Sequence, residues 1–206
     1  MEVNKLIEFF RDSKNARPST IKQLKMENYE TGLYAWYSDL SLVQKAGIEI
    51  PQGPWLINDS ILLYVGMISE RKSCMTSRLR FHACRGRADQ SAVCMRLGCL
   101  LAGTLEISLH QVPGRAKQFF WHQRNTLPNW ALGHLYFKAC QCYRAKEFEP
   151  EIVSTLIPLL NRDYKPLNDF DKVLDRLEDF HTDLARRNPR PPEKLKWKLG
   201  HLGDAH

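Results

Sequence analysis

Six side chains in this sequence offer reactive chemistry in a definite order. Tyr34 closes a Gly-Leu-Tyr triplet at 32–34, and Tyr64 opens a Tyr-Val-Gly triplet at 64–66. Arg78 and His82 follow in "SRLRFH", four residues apart, so that on the helix expected there both project from one face. Glu149 and Asn161 bracket "EPEIVSTLIPLLN". Phenols and an imidazole can pass protons, a guanidinium grips anions through a fixed fork of donors, and a carboxylate can ligate a hard cation. Each also has a plainer reading. Tyr34 and Tyr64 suit the core of a sheet, Arg78 beside Arg80 suits a solvated helix face, and His82 suits a satisfied structural histidine. Glu149, between Glu147 and Glu151, suits a carboxylate capping a helix start. Their joint order is what favours the reactive reading.

That order resembles the GIY-YIG nuclease superfamily. There a Gly-Ile/Leu-Tyr strand pairs with a Tyr-Ile/Val-Gly strand, and a helix supplies an arginine with a histidine or tyrosine four residues on. A later helix supplies a metal-binding glutamate, and an asparagine follows. "GLYAW", "LLYVG", "RLRFH" and "RLGCLL" are similar to a bacterial stand-alone branch of this superfamily, and the likeness runs over roughly residues 30–187. Two departures stand beside it. Residues 39–60 insert a helix and a loop between the paired strands, and "DQSAVCMRLG" replaces a Gly-Ser-Thr-Leu type of stretch.

The resemblance implies a metal-dependent DNA endonuclease. Hydrolysing a phosphodiester needs a base near the attacking water and cationic help for the phosphoryl oxygens. Tyr34 would be the general base or would position the water, with Tyr64 beside it bonding water or phosphate. A free phenol titrates near pH 10, about three units above neutrality, so a metal or nearby cation must assist. Arg78 would grip the scissile phosphate, and His82 would orient Tyr34 or share in proton transfer. Glu149 would hold Mg²⁺ or Mn²⁺, with Glu151 as the near alternative, and Asn161 would tie the fold together around the site. Gly66 would let backbone approach closely where Tyr64 must face the cleft.

Basic residues flank the proposed site. Arg80, Arg85, Arg87 and Arg96 come first, then "GRAKQFFWHQR", where Arg115, Lys117 and Arg124 surround Phe119, Phe120 and Trp121. The cations are expected on DNA phosphates, and at least two of the rings in the core. A net charge of +7 and a pI of about 9.1 suit a polyanionic partner. No helix-turn-helix, zinc finger or other sequence-reading module is visible.

The elements that must position these groups are legible in outline. Helical periodicity covers 3–11, and the aromatic run 31–38 and the apolar run 61–67 read as strands. "DLSLVQKAG" reads as a short helix ended by Gly47, and a helix is expected from Thr76 or Ser77 through about Cys84. Asp89 is expected to cap a longer helix, "QSAVCMRLGCLLAGTL". "EISLHQV" and "KQFFWHQ" read as strands joined across Pro113-Gly114, and "GHLYFKACQCYRA" as a further strand. "EPEIVSTLIPLL" reads as a helix with Pro150 in its first turn. "DFDKVLDRLEDFHTDLARR" is an amphipathic helix with an apolar stripe of Phe170, Val173, Leu174, Leu177, Phe180 and Leu184.

The expected class is α+β, a small mixed or antiparallel central sheet flanked by helices. Its parts are a helical extension at 1–29, a catalytic domain at 30–168, the packed helix at 169–187 and a basic, proline-rich tail at 188–206. A chain of 206 residues suits one core with extensions. No apolar run approaches a membrane span and no secretion signal is seen, so the expected address is the cytoplasm. The six cysteines lack zinc or disulfide spacing and are expected to be reduced. The state would be monomer or homodimer. Two other functions compete with the nuclease: a nucleic-acid binder without cleavage, and a protein-interaction module docking through 169–187.

Overall fold

The computed structural model describes residues 2–18, 31–45, 47, 49–68, 88–122 and 125–189. The class is α+β. A strand that is apolar and aromatic on both sides of its pleat must be covered on both faces, and Gly32–Asp39 meets that description. It forms β2, buried from Gly32 to Ser38, near the centre of an antiparallel sheet.

The chain begins with α1 (Val3–Arg11) and a two-residue β1 (Arg17–Pro18). After β2 come α2 (Leu40–Lys45), β3 (Leu56–Ile57) and β4 (Ser60–Ile68). A 3₁₀ turn at Ala88–Gln90 leads into α3 (Ala92–Leu101), followed by β5 (Leu109–Gln111) and β6 (Phe119–Trp121). Then follow α4 (Thr126–His134), β7 (Leu135–Gln141), α5 (Ala145–Leu156) and α6 (Asp169–Arg187). The main sheet has the order β1-β7-β2-β4-β3, with every pairing antiparallel, and β5 and β6 form a separate hairpin.

Each face of the main sheet carries its own core. Tyr34, Trp36, Ile61 and Leu63 pack with α3, the β5–β6 hairpin and α6. Leu33, Ala35, Tyr37, Leu62 and Val65 pack with α1 and α5. The first face is called the tyrosine face below. The N-terminal helix is thus half of a core, and its carbonyl end is fastened to the sheet. Lys138 donates to the Phe9 and Asp12 carbonyls, each at 2.6 Å, and the Tyr37 hydroxyl donates to the Phe10 carbonyl at 2.7 Å. A cation and a hydroxyl at a helix C-terminus satisfy carbonyls that have no partner within the helix.

Several expectations need correcting. Asp89 does not cap α3. That cap is Ser91, whose hydroxyl accepts from the Cys94 N–H, while Asp89 accepts from the Phe119 N–H at 2.8 Å and ties the hairpin to the turn. Helix α3 ends at Leu101, short of the expected Leu105. The segment before β7 forms α4, which its Gly133 and Pro128 concealed. Helix α5 starts at Ala145, five residues upstream of Pro150, so the proline lies inside it. It ends where Ile157, ahead of Pro158, takes a left-handed φ of 48°. The amphipathic stripe of α6 divides: Phe170 and Leu174 are buried, whereas Val173, Phe180 and Leu184 are exposed. Gly47 takes the positive φ of 73° expected after α2. Among the described residues no helix is long and apolar enough to cross a membrane, and Cys94, Cys99, Cys140 and Cys142 form no disulfide.

Candidate active site

Strands β2 and β4 pair with Tyr34 opposite Gly66 and Trp36 opposite Tyr64. Tyr34 and Tyr64 are therefore diagonal neighbours on one face, with ring centroids 6.2 Å apart and planes inclined at 32°. Gly66 makes room for both. A Cβ there would stand 2.6 Å from the Tyr34 hydroxyl oxygen and 2.6 Å from the Tyr64 ring. The close approach at this glycine is thus by two side chains, where sequence reasoning expected backbone. Tyr34 is fully covered and Tyr64 is half-buried, so Tyr64 is the phenol of the pair that reaches the surface.

The pairing is irregular one step further on. Trp36 opposes Tyr64, but Tyr37 opposes Leu62, leaving Leu63 as an extra residue on β4. This β-bulge lets consecutive residues Leu63 and Tyr64 both join the tyrosine face. Its loose carbonyl is taken up by the chain after α5, since the Leu160 N–H donates to the Leu63 carbonyl at 2.7 Å.

Asn161 completes that edge. Its side-chain oxygen accepts from the Val65 N–H at 2.9 Å, and its amide donates to the Val65 carbonyl at 2.8 Å. The side chain takes the place of a neighbouring strand at the residue between Tyr64 and Gly66. Buried backbone groups require such partners. Asn161 thus ties the fold beside the tyrosines, and both its amide positions are spent on backbone.

The Asn161 carbonyl in turn accepts from Arg96 at 3.4 Å. Arg96, read from sequence as a surface cation for DNA, is 2% exposed. It pairs with Asp175 at 2.6 Å and lies 3.6 Å from Asp171 and 3.8 Å from Glu178, all on α6. Lys165 joins the group at 2.7 Å from Asp171, and Arg162 at 3.1 Å from Glu178. Burial pulls the Arg96 and Lys165 cations below their usual range and pushes the Glu178 carboxyl above its own, against the pull of the opposite charges around them. Arg96 is a structural tie between α3, α6 and Asn161. Its place within the apolar run of α3, after Met95, was the only sequence signal.

Glu149 is distinct from its acidic neighbours. Glu147 is exposed and paired with Arg144 at 2.7 Å, and Glu151 is exposed. Glu149 is half-buried, with Ala145, Ile152, Val153 and Leu156 at the positions one turn before and one and two turns after it, all buried. A carboxylate in the middle of an apolar helix stripe bears a desolvation cost that a capping residue does not. It also lies in the second turn of α5, beyond the first-turn position a capping role requires. The structure thus brings together Tyr34 on β2, Tyr64 on β4 and Asn161 in the chain after α5, whereas α5, which carries Glu149, packs its apolar residues in the core of the other sheet face.

Arg115 and Lys117 are exposed on the turn of the β5–β6 hairpin, and Phe119, Phe120 and Trp121 are all buried, as expected for the core. Arg78, His82, Arg80, Arg85, Arg87 and Arg124 lie outside the described residues. Lys138, missed in the sequence, is a buried cation among apolar strand residues and a tie for α1. Among the described residues no three or more His, Cys, Asp or Glu side chains cluster as a metal cage. A single half-buried carboxylate still suits Mg²⁺, which keeps several waters and is commonly held by one or two carboxylates plus substrate phosphates. The chain matches no family model, no curated protein and no solved structure.

Proposed function

We propose that this protein is a metal-dependent endonuclease acting on DNA. The observation that carries the reading is the tyrosine pair, set on adjacent antiparallel strands around Gly66 with Asn161 clamping the residue between Tyr64 and Gly66. In this reading Tyr64 meets water or phosphate, and Tyr34 behind it accepts the proton of the attacking water. Arg78 holds the scissile phosphate and His82 orients Tyr34. Arg115 and Lys117, exposed on their hairpin, contact backbone phosphates, which makes binding strongly salt-dependent. Glu149 is the residue to hold Mg²⁺ or Mn²⁺, and the ion would supply charge neutralisation at the phosphoryl oxygens.

A non-cleaving binder on the same scaffold is the second reading, favoured by the full coverage of Tyr34. Supercoiled plasmid separates the two. Incubation with Mg²⁺, with Mn²⁺ and with EDTA should give nicking in the first two only, and Glu149→Ala should lower the rate by about a hundredfold or more. Plasmid bound yet intact with every metal would favour the binder, and full activity in Glu149→Ala would remove Glu149 from the site.

A further inference from the structure

We infer that α6 joins two copies of this chain into a two-fold, antiparallel dimer. The inference stands apart from the nuclease reading. Val173, Leu177, Phe180 and Leu184 follow one another at spacings of four, three and four residues, the repeat of a helix–helix seam. Val173, Phe180 and Leu184 are 45%, 61% and 43% exposed, and Leu177 is half-buried. The seam runs beside the stripe of Phe170, Leu174 and Ala185 that holds α6 to its own core. A contiguous apolar row left open on a well-anchored helix marks an interaction surface.

Two features name the occupant. The four positions are symmetric about the point between Glu178 and Asp179. An antiparallel second copy therefore sets Val173 against Leu184 of that copy and Leu177 against its Phe180, and each contact is repeated by the two-fold axis. The same register places Arg176 of each copy near Asp183 of the other, along the flank of the seam. Arg176 is exposed and has no ion-pair partner among the described residues, while Asp183 holds only the exposed Arg186, at 2.8 Å. A parallel pairing would set each seam residue against its own copy and leave Arg176 and Asp183 without opposite charges across it.

Sedimentation velocity of the full chain over a dilution series tests this. Wild type should dimerise reversibly. Phe180→Glu should weaken the dimer by about thirtyfold or more, the effect of losing a central apolar anchor, with an unchanged circular dichroism spectrum. Arg176→Asp and Asp183→Arg should each weaken self-association, and mixing the two variants should restore dimers, because every cross-seam pair is then opposite in charge. A wild type that stays monomeric at every concentration would overturn the inference. So would a dimer indifferent to Phe180→Glu, or charge variants that fail to recover on mixing.

Discussion

Lys138 and Arg96 are both buried cations, and they fasten helices to opposite faces of one sheet by different means. Lys138, on β7, presents its ammonium to the Phe9 and Asp12 carbonyls at the end of α1 and lies 4.3 Å from the centre of the Phe9 ring. Both of these hydrogen-bond partners are dipoles. Arg96, on α3, faces full charges on Asp171, Asp175 and Glu178 of α6. Carbonyl dipoles left alone cost a hydrogen bond each, whereas carboxylates left alone in a core cost far more. Two ties that look equivalent in burial should therefore differ in what their loss does.

The largest effect is expected from Arg96→Met. It strands Asp171 with Lys165 as its remaining cation and deprives Glu178 of one of two, at a cost of about 3 kcal/mol or more. Urea unfolding followed by circular dichroism would measure it; urea is needed because guanidinium would screen the charges. Lys138→Met should cost less, about 1–3 kcal/mol, through two carbonyls left without donors. Its signature should be local: faster amide exchange in α1 with α6 unaffected, which would separate the two ties. Equal losses from the two variants would break the comparison.

The smallest effect is a pH dependence. Burial raises the Glu178 carboxyl above the 4.5 of its unfolded state. The folded protein then binds more protons than the unfolded chain above that pH, so this group's contribution is complete below 4.5 and is lost as pH rises through the raised value. Glu178→Gln should remove that decline in a series of urea midpoints from pH 4 upward. An unaltered slope would mean that Arg96 and Arg162 hold the carboxylate ionised throughout.

Much of the tyrosine site was open to sequence reading because strand positions follow the two-residue period, and glycine beside tyrosine marks crowding on one face. Asn161 was read as a tie, and it is one. Arg96 was misread because a guanidinium on an apolar helix face looks the same whether it snorkels to water or meets acids from a helix 79 residues away in sequence, as Asp175 is. The start of α5 was misplaced because Pro150 suits a first turn better than an interior. The stripe of α6 was seen whole, since periodicity reports which residues are apolar and says nothing of which of them find a partner.

By itself, the order of residues determined the two central strands, the tyrosine carried by each, the bounds of α6 and the α+β class. These follow from short-range rules: side-chain period, turn residues and helix caps. The tertiary structure alone decided the bulge at Leu63, because every residue from Ile61 to Tyr64 is apolar or aromatic and no alternation betrays a shift in register. It alone decided the partners of Arg96, Lys138 and Asn161, because a buried polar group is satisfied by whatever the fold brings to it, and sequence distance does not measure that encounter.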